Sequence, residues 1–121
     1  MATVRTDIWT YRDTAWLAAK LVGYSVEALD GSIGKIDETS TEVGAGYIAV
    51  DTGPWIFGKK VMLPAGVISR VDVQDETVFV NRTKQQTKNA PKFSDDYRDD
   101  EPYRNDLALY YGEGGAGWQG W

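Results

Sequence analysis

Four groups of side chains in this 121-residue sequence have types and spacings that invite chemistry. Asp51 in the run Val-Asp-Thr-Gly, and Asp72 with Asp75, supply carboxylates that could share acid and base roles if two of them met in a cleft. Their plainer role is to end strands and shape turns, because an aspartate accepts hydrogen bonds from amides a few residues on. Arg82, Lys84, Lys88 and Lys92 form a basic cluster with no acid among them, suited to phosphate or an acidic partner. A solvated helix face, or pairing with the chain's own acids, explains the same cluster. Asp95, Asp96, Asp99, Asp100 and Glu101 offer oxygen ligands but lack the spacing of a calcium loop, so no metal site is expected. Trp55, Ile56 and Phe57, followed by Gly58, Lys59 and Lys60, would make an aromatic docking anchor flanked by cations if exposed. Otherwise the same rings close one end of a small barrel.

The missing residue types narrow the field further. The sequence contains neither histidine nor cysteine, which removes histidine triads, zinc sites of the usual ligands, disulfides and thiol nucleophiles. No catalytic residue and no cofactor is therefore expected, and an enzyme is the weakest class. Hydrophobic residues at 42% and charged residues at 26% are globular values, which excludes wholesale disorder. No apolar run reaches the roughly 18 residues of a membrane span, and the opening residues lack the apolar core of a secretory signal. A cytoplasmic protein is the expectation. The net charge of −5 is unevenly placed: residues 1–92 hold 11 acids and 11 bases, whereas residues 93–121 hold seven acids against Arg98 and Arg104. A neutral body with an acidic end argues against nucleic acid as the main partner, since phosphate binding needs a basic surface.

The elements that would position these groups are mostly strands. From Gly23 to Asn81, short β-type runs are broken by turn signals about every ten residues, the pattern of a small sandwich or barrel. Tyr24, Val26 and Ala28 alternate with polar residues, and Asp30-Gly31 then returns the chain through Ile33 to Thr39, predicting a hairpin. Tyr47 to Thr52 is apolar on both faces and predicts a central, covered strand. Lys60 to Leu63, Val67 to Val73 and Thr77 to Asn81 complete about six strands. Thr83-Lys-Gln-Gln86 matches a capping box opening a short helix to Lys88, which Pro91 stops. A second helix starting near Pro102 would carry Tyr103, Leu107, Tyr110 and Tyr111 on one stripe. The fold class is mainly β, with an aromatic-rich extension over residues 1–20, a barrel over 21–92, and an acidic linker, helix and Gly/Trp tail over 93–121.

The ordered blocks GYSVEALDGSIGKIDE, YIAVDTGPWIFGKKVMLPAGVISRVD, ETVFVNRTKQQTKNAP and YRNDLALYYG closely resemble the PRC-barrel family, especially its small stand-alone bacterial members. The resemblance spans about residues 21–92 and the trailing helix. It implies a PRC-type β-barrel of about six strands, with a short helix after the last strand and a C-terminal helix. Relatives include the cytoplasmic domain of the photosynthetic reaction centre H subunit and the C-terminal domain of a ribosome maturation factor. Both act by docking onto other macromolecules, and the family has no catalytic motif to carry over. The chain departs from the family at Thr87, where an apolar residue is usual.

The expectation is thus a non-catalytic interaction or scaffold module with another protein as partner. A ribosome- or RNA-associated assembly factor and a photosynthetic accessory protein are the alternatives, each resting on fold analogy. Candidate interaction residues are Trp55, Ile56, Phe57, Lys59, Lys60, Arg82, Lys84, Lys88, Tyr103, Leu107, Tyr110, Trp118 and Trp121. A homodimer is also expected, because Trp9, Tyr11, Trp16, Tyr103, Leu107, Tyr110, Tyr111, Trp118 and Trp121 all lie outside the barrel and need cover.

Overall fold

A computed structural model describes residues 8–9, 11, 16, 20–41, 46–53, 60–91 and 100–112. Six strands, β1 (Ser25–Ala28), β2 (Gly31–Ser40), β3 (Tyr47–Asp51), β4 (Lys60–Pro64), β5 (Ile68–Asp72) and β6 (Thr77–Val80), are followed by helices α1 (Lys84–Lys88) and α2 (Glu101–Tyr111). Alternation builds β1, whose Val26 and Ala28 are buried while Ser25 and Glu27 are half-buried. The Asp30-Gly31 turn folds β2 back against it, antiparallel as the spacing predicts. β3 lies between β2 and β4, and its Ile48, Ala49 and Val50 are fully buried, as a strand covered on both faces requires. Burying each large aliphatic side chain of β3 and β4 contributes about 1.5–3 kcal/mol.

The strand order is β4-β3-β2-β1-β6-β5, with a parallel ladder between β1 and β6 and antiparallel ladders elsewhere. The sheet is therefore mixed and open in its hydrogen bonding: among the described residues no ladder joins β4 to β5. It is nevertheless strongly curled. Six flat strands at about 4.8 Å spacing would hold β4 and β5 about 24 Å apart. Yet Pro64 ends β4 and Ile68 begins β5, and four residue steps span at most about 14 Å. The 3₁₀ turn Ala65–Val67 makes this corner, wholly buried. The Ala65 amide donates to Gly46 beside β3, and Val67 accepts from the Asn81 amide at the end of β6. One tight corner thus ties the two halves of the sheet.

Both helices pack on this frame. α1 opens with the capping box read from the sequence: the Gln86 amide donates to Thr83 Oγ1 at 3.1 Å, and the Thr83 amide to Gln86 Oε1 at 2.8 Å. Thr87 is fully buried, and its hydroxyl donates to the Lys84 carbonyl at 2.8 Å. That bond satisfies the polar group the resemblance marked as a departure, so the helix keeps its seat against β2 and β4. α2 begins at Glu101, one residue earlier than Pro102, because Asp100 caps it through the Tyr103 amide at 2.9 Å. Its Tyr103, Leu107 and Tyr111 are buried, and Leu109 on the other face is exposed.

Candidate functional site

The described residues include only part of the predicted site. Trp55, Ile56, Phe57, Lys59, Lys92, Trp118 and Trp121 lie outside the described residues, as do Asp95, Asp96 and Asp99. What is described is the ground beside the first four. β3 and β4 pair up to Asp51 and Lys60, so residues 54–59 connect neighbouring antiparallel strands. At that end a cleft of about 290 Å³ is lined by Gly34, Lys35, Asp51, Thr52 and Gly53. Its floor depends on Gly34, whose φ is 147° and where a Cβ would stand 2.1 Å from the Asp51 carbonyl oxygen. Only glycine lets β2 approach β3 there.

Asp51 at this end, and Asp72 at the β5–β6 connection, shape turns. Asp51 Oδ1 accepts from the Gly53 amide at 2.9 Å, and Asp72 Oδ1 from the Asp75 amide at 3.0 Å. Neither aspartate is paired with the other, so the carboxylate pair considered from the sequence is not assembled through these bonds. Lys60 forms an ion pair with Asp37 at 2.5 Å, with both side chains more than a third exposed. Such a pair contributes about 0–1 kcal/mol.

The basic cluster is divided by the fold. Arg82 turns inward: its guanidinium donates to Asn81 and to the Tyr111 carbonyl, and it lies 5.8 Å from the Tyr111 ring centre. A cation at the last turn of α2 offsets the negative end of the helix. Lys84 is half-buried and its amide donates to Asp30 at 2.8 Å, while Lys88 is exposed. Arg82 is thereby withdrawn from any phosphate-binding face that Lys84 and Lys88 could share.

Tyr103, Leu107 and Tyr110 serve packing. Leu107 is fully buried, Tyr103 donates to the Pro91 carbonyl at 3.2 Å, and Tyr110 donates to the Gln86 carbonyl at 2.6 Å. The last two bonds fasten α2 to α1 and its exit. Trp9, Tyr11 and Tyr111 are likewise buried within the chain, and Trp16 and Tyr110 pack partly against the same core. The surface that motivated a dimer is, for these residues, covered by the chain itself.

One constellation was not singled out from the sequence. Arg104 lies 4.9 Å from the Trp9 ring centre and 5.2 Å from that of Tyr47. Tyr47 donates to Glu38 Oε2 at 2.6 Å, and Tyr11 donates to the carbonyls of Ser40 at 2.8 Å and Tyr47 at 3.1 Å. The Gly46 amide donates to the Trp9 carbonyl at 2.8 Å. The concentration of aromatics ahead of the strands was the only signal, and their partners are some 30 to 95 positions away. Burial raises the Tyr11 hydroxyl to about 12, helped by Tyr47. Burial also pushes Tyr103, Tyr110 and Tyr111 upward, Tyr111 well above the usual tyrosine value. All four are neutral at physiological pH, and Tyr11, Tyr103 and Tyr110 serve as hydrogen-bond donors to main-chain carbonyls, a structural role.

No helix among the described residues is long and apolar enough to cross a membrane, and no group of three or more metal-ligating side chains is found among them. No family model matches the chain, and no curated protein matches it.

Proposed function

We propose that this chain is a PRC-type barrel module that binds another protein and catalyses no reaction, with the β3–β4 connection as its docking element. The observation that carries the reading is the pairing of a largely buried β3–β4 hairpin with an open cleft at the end where that hairpin is joined. β3 and β4 are anchored along five residue pairs, from Tyr47 with Pro64 to Asp51 with Lys60. The sequence joining them holds Trp55, Ile56, Phe57 and Lys59, a combination typical of binding anchors. The curled six-strand sheet followed by a capped short helix supports the PRC assignment, together with the ordered sequence blocks. The inward commitment of Arg82 disfavours the RNA-associated alternative, because it removes the strongest phosphate ligand from the basic cluster.

Crosslinking in native lysate with mass spectrometry, run on the full chain and on a Trp55→Ala/Phe57→Ala variant, tests this. The expected result is one set of protein partners lost in the variant while its melting temperature is unchanged. Identical partner sets for both proteins, or none for either, would overturn the reading. Cosedimentation with ribosomal particles at moderate salt would move the assignment to the RNA-associated class.

A further inference from the structure

The fold finishes the two edges of the sheet differently. β4, at one edge, is buried from Val61 to Pro64, and both helices pack against it. β5, at the other, is exposed at Ser69 and Arg70 and half-buried at Val71 and Asp72. Among the described residues no strand pairs with β5 on the side away from β6. An edge strand of this kind turns a row of backbone N–H and C=O groups outward, and natural edges are often blunted by lysine, proline or a bulge. β5 contains neither lysine nor proline. Its one irregularity, between Ile68 and Arg70, leaves Arg70, Val71 and Asp72 in regular register with β6.

We propose that β5 is a self-pairing edge, which adds the β5 of a second copy antiparallel about a two-fold axis at Val71. This surface is separate from the β3–β4 connection. A two-fold interface is self-complementary, so symmetric antiparallel pairing sets one residue opposite its own copy, and charge selects which one. With the axis at Arg70, two guanidinium groups stand opposite each other, and with it at Asp72, two carboxylates do. Like charges directly opposite are destabilising. With the axis at Val71, Arg70 of each chain faces Asp72 of the other, so both cross-strand pairs join opposite charges. Val71 then meets its own counterpart, and Val73, 59% exposed just beyond the strand, is carried to the junction. Each chain holds these charges ready. Arg70 is 61% exposed and its Nη1 stands 3.8 Å from Asp72 Oδ2, a long contact within one strand. Asp72 gives Oδ1 to the Asp75 amide and keeps Oδ2 for a cation. The Arg70 guanidinium lies 4.0 Å over the Phe79 ring, a stack that leaves its in-plane N–H donors for a carboxylate. A second copy is the occupant because its own β5 presents the complementary charges in the order that antiparallel pairing requires. A five-residue ladder is a small interface, so the dimer is weak and forms as concentration rises.

The experiment uses the full chain. Light scattering over a concentration series is expected to show a monomer–dimer equilibrium. Arg70→Glu places two acids on every β5 edge and Asp72→Lys two bases, so each variant alone is expected to dimerise at least about tenfold more weakly. Mixing the two restores opposite charges at both pairs, and a one-to-one complex of near wild-type affinity is expected. Trp55→Ala/Phe57→Ala leaves the wild-type dimer intact, which separates this proposal from docking through the β3–β4 connection. A wild-type chain that stays monomeric at the highest attainable concentration overturns the proposal and leaves the edge to a strand of another protein. A dimer indifferent to Arg70→Glu, or two folded variants that do not complement each other, also overturns it. If Asp72→Lys fails to fold, Val71→Cys decides the matter, because the chain has no cysteine of its own. A short bifunctional maleimide is then expected to link Val71→Cys chains faster than Leu29→Cys chains, whose site is 68% exposed in the β1–β2 turn. Equal rates of linkage overturn the proposal.

Discussion

The guanidinium of Arg82 donates to the main-chain carbonyl of Tyr111, joining the second residue after β6 to the last turn of α2 across 29 positions of sequence. The same guanidinium also donates, through Nη1, to the carbonyl and side-chain oxygen of Asn81. It is a fastener between sheet and helix, which is why its charge does not count toward a surface patch.

Arg82→Ala is accordingly expected to cost about 1.5–3 kcal/mol, the range for a hydrogen bond to a charged group. Arg82→Lys keeps a cation near the helix end but not the forked geometry, and recovers only part of the loss. Urea denaturation of the three proteins measures both steps. Equal stability of wild type and Arg82→Ala would show that the contact is incidental.

Tyr111 gives the opposite expectation. Its hydroxyl is buried with no hydrogen-bond partner among the described residues, so the fold carries an uncompensated desolvation. Tyr111→Phe removes the oxygen, keeps the ring against Tyr110 at 4.9 Å, and is expected to stabilise the protein by about 1 kcal/mol. A lower melting temperature for Tyr111→Phe would contradict this account of the site.

Gly34 and Gly53 both have positive φ, but only Gly34 is also crowded. Gly53→Ala meets open space and is expected to cost about 1–2 kcal/mol, the strain of a left-handed alanine. Gly34→Ala must also push the Asp51 carbonyl away, and is expected to cost at least about 3 kcal/mol and to distort the cleft. Thermal unfolding of the pair gives the ranking, and the reverse order would exclude the close approach of β2 to β3.

The buried tyrosines are expected to make stability fall as pH rises from about 10 toward about 12. Tyr11, Tyr103 and Tyr111 hold their protons more tightly folded than unfolded, so in that window the unfolded chain releases protons first and is favoured. Tyrosinate absorbance should therefore rise in step with loss of structure, and Tyr11→Phe should flatten the decline. Tyrosinate formation that runs its full course before any unfolding would sink this expectation.

Local features of this fold were legible and distant ones were not. The Asp30-Gly31 hairpin, the Thr83–Gln86 capping box and the Tyr103/Leu107/Tyr111 stripe each follow from residues within one or two turns of chain. Ile48 and Val50 could be placed in the core because an unbroken apolar run has few other destinations. The crowding at Gly34, the inward turn of Arg82 and the Trp9–Arg104–Tyr47 stack depend on which segments meet, and periodicity carries no such information. Arg82 is instructive here. In sequence it belongs with Lys84 and Lys88, and in space it belongs with Tyr111.

The parallel ladder between β1 and β6 pairs Ser25 with Thr77, Val26 with Val78 and Glu27 with Phe79. During vectorial synthesis, β1, β2 and β3 emerge and can zip into a meander long before β6 exists. One edge of β1 stays bare throughout that interval, with the apolar face of Val26 and Ala28 uncovered beside it. The moment of greatest exposure to misassociation is thus set by translation of the residues between Ser40 and Thr77, and slower elongation there lengthens it.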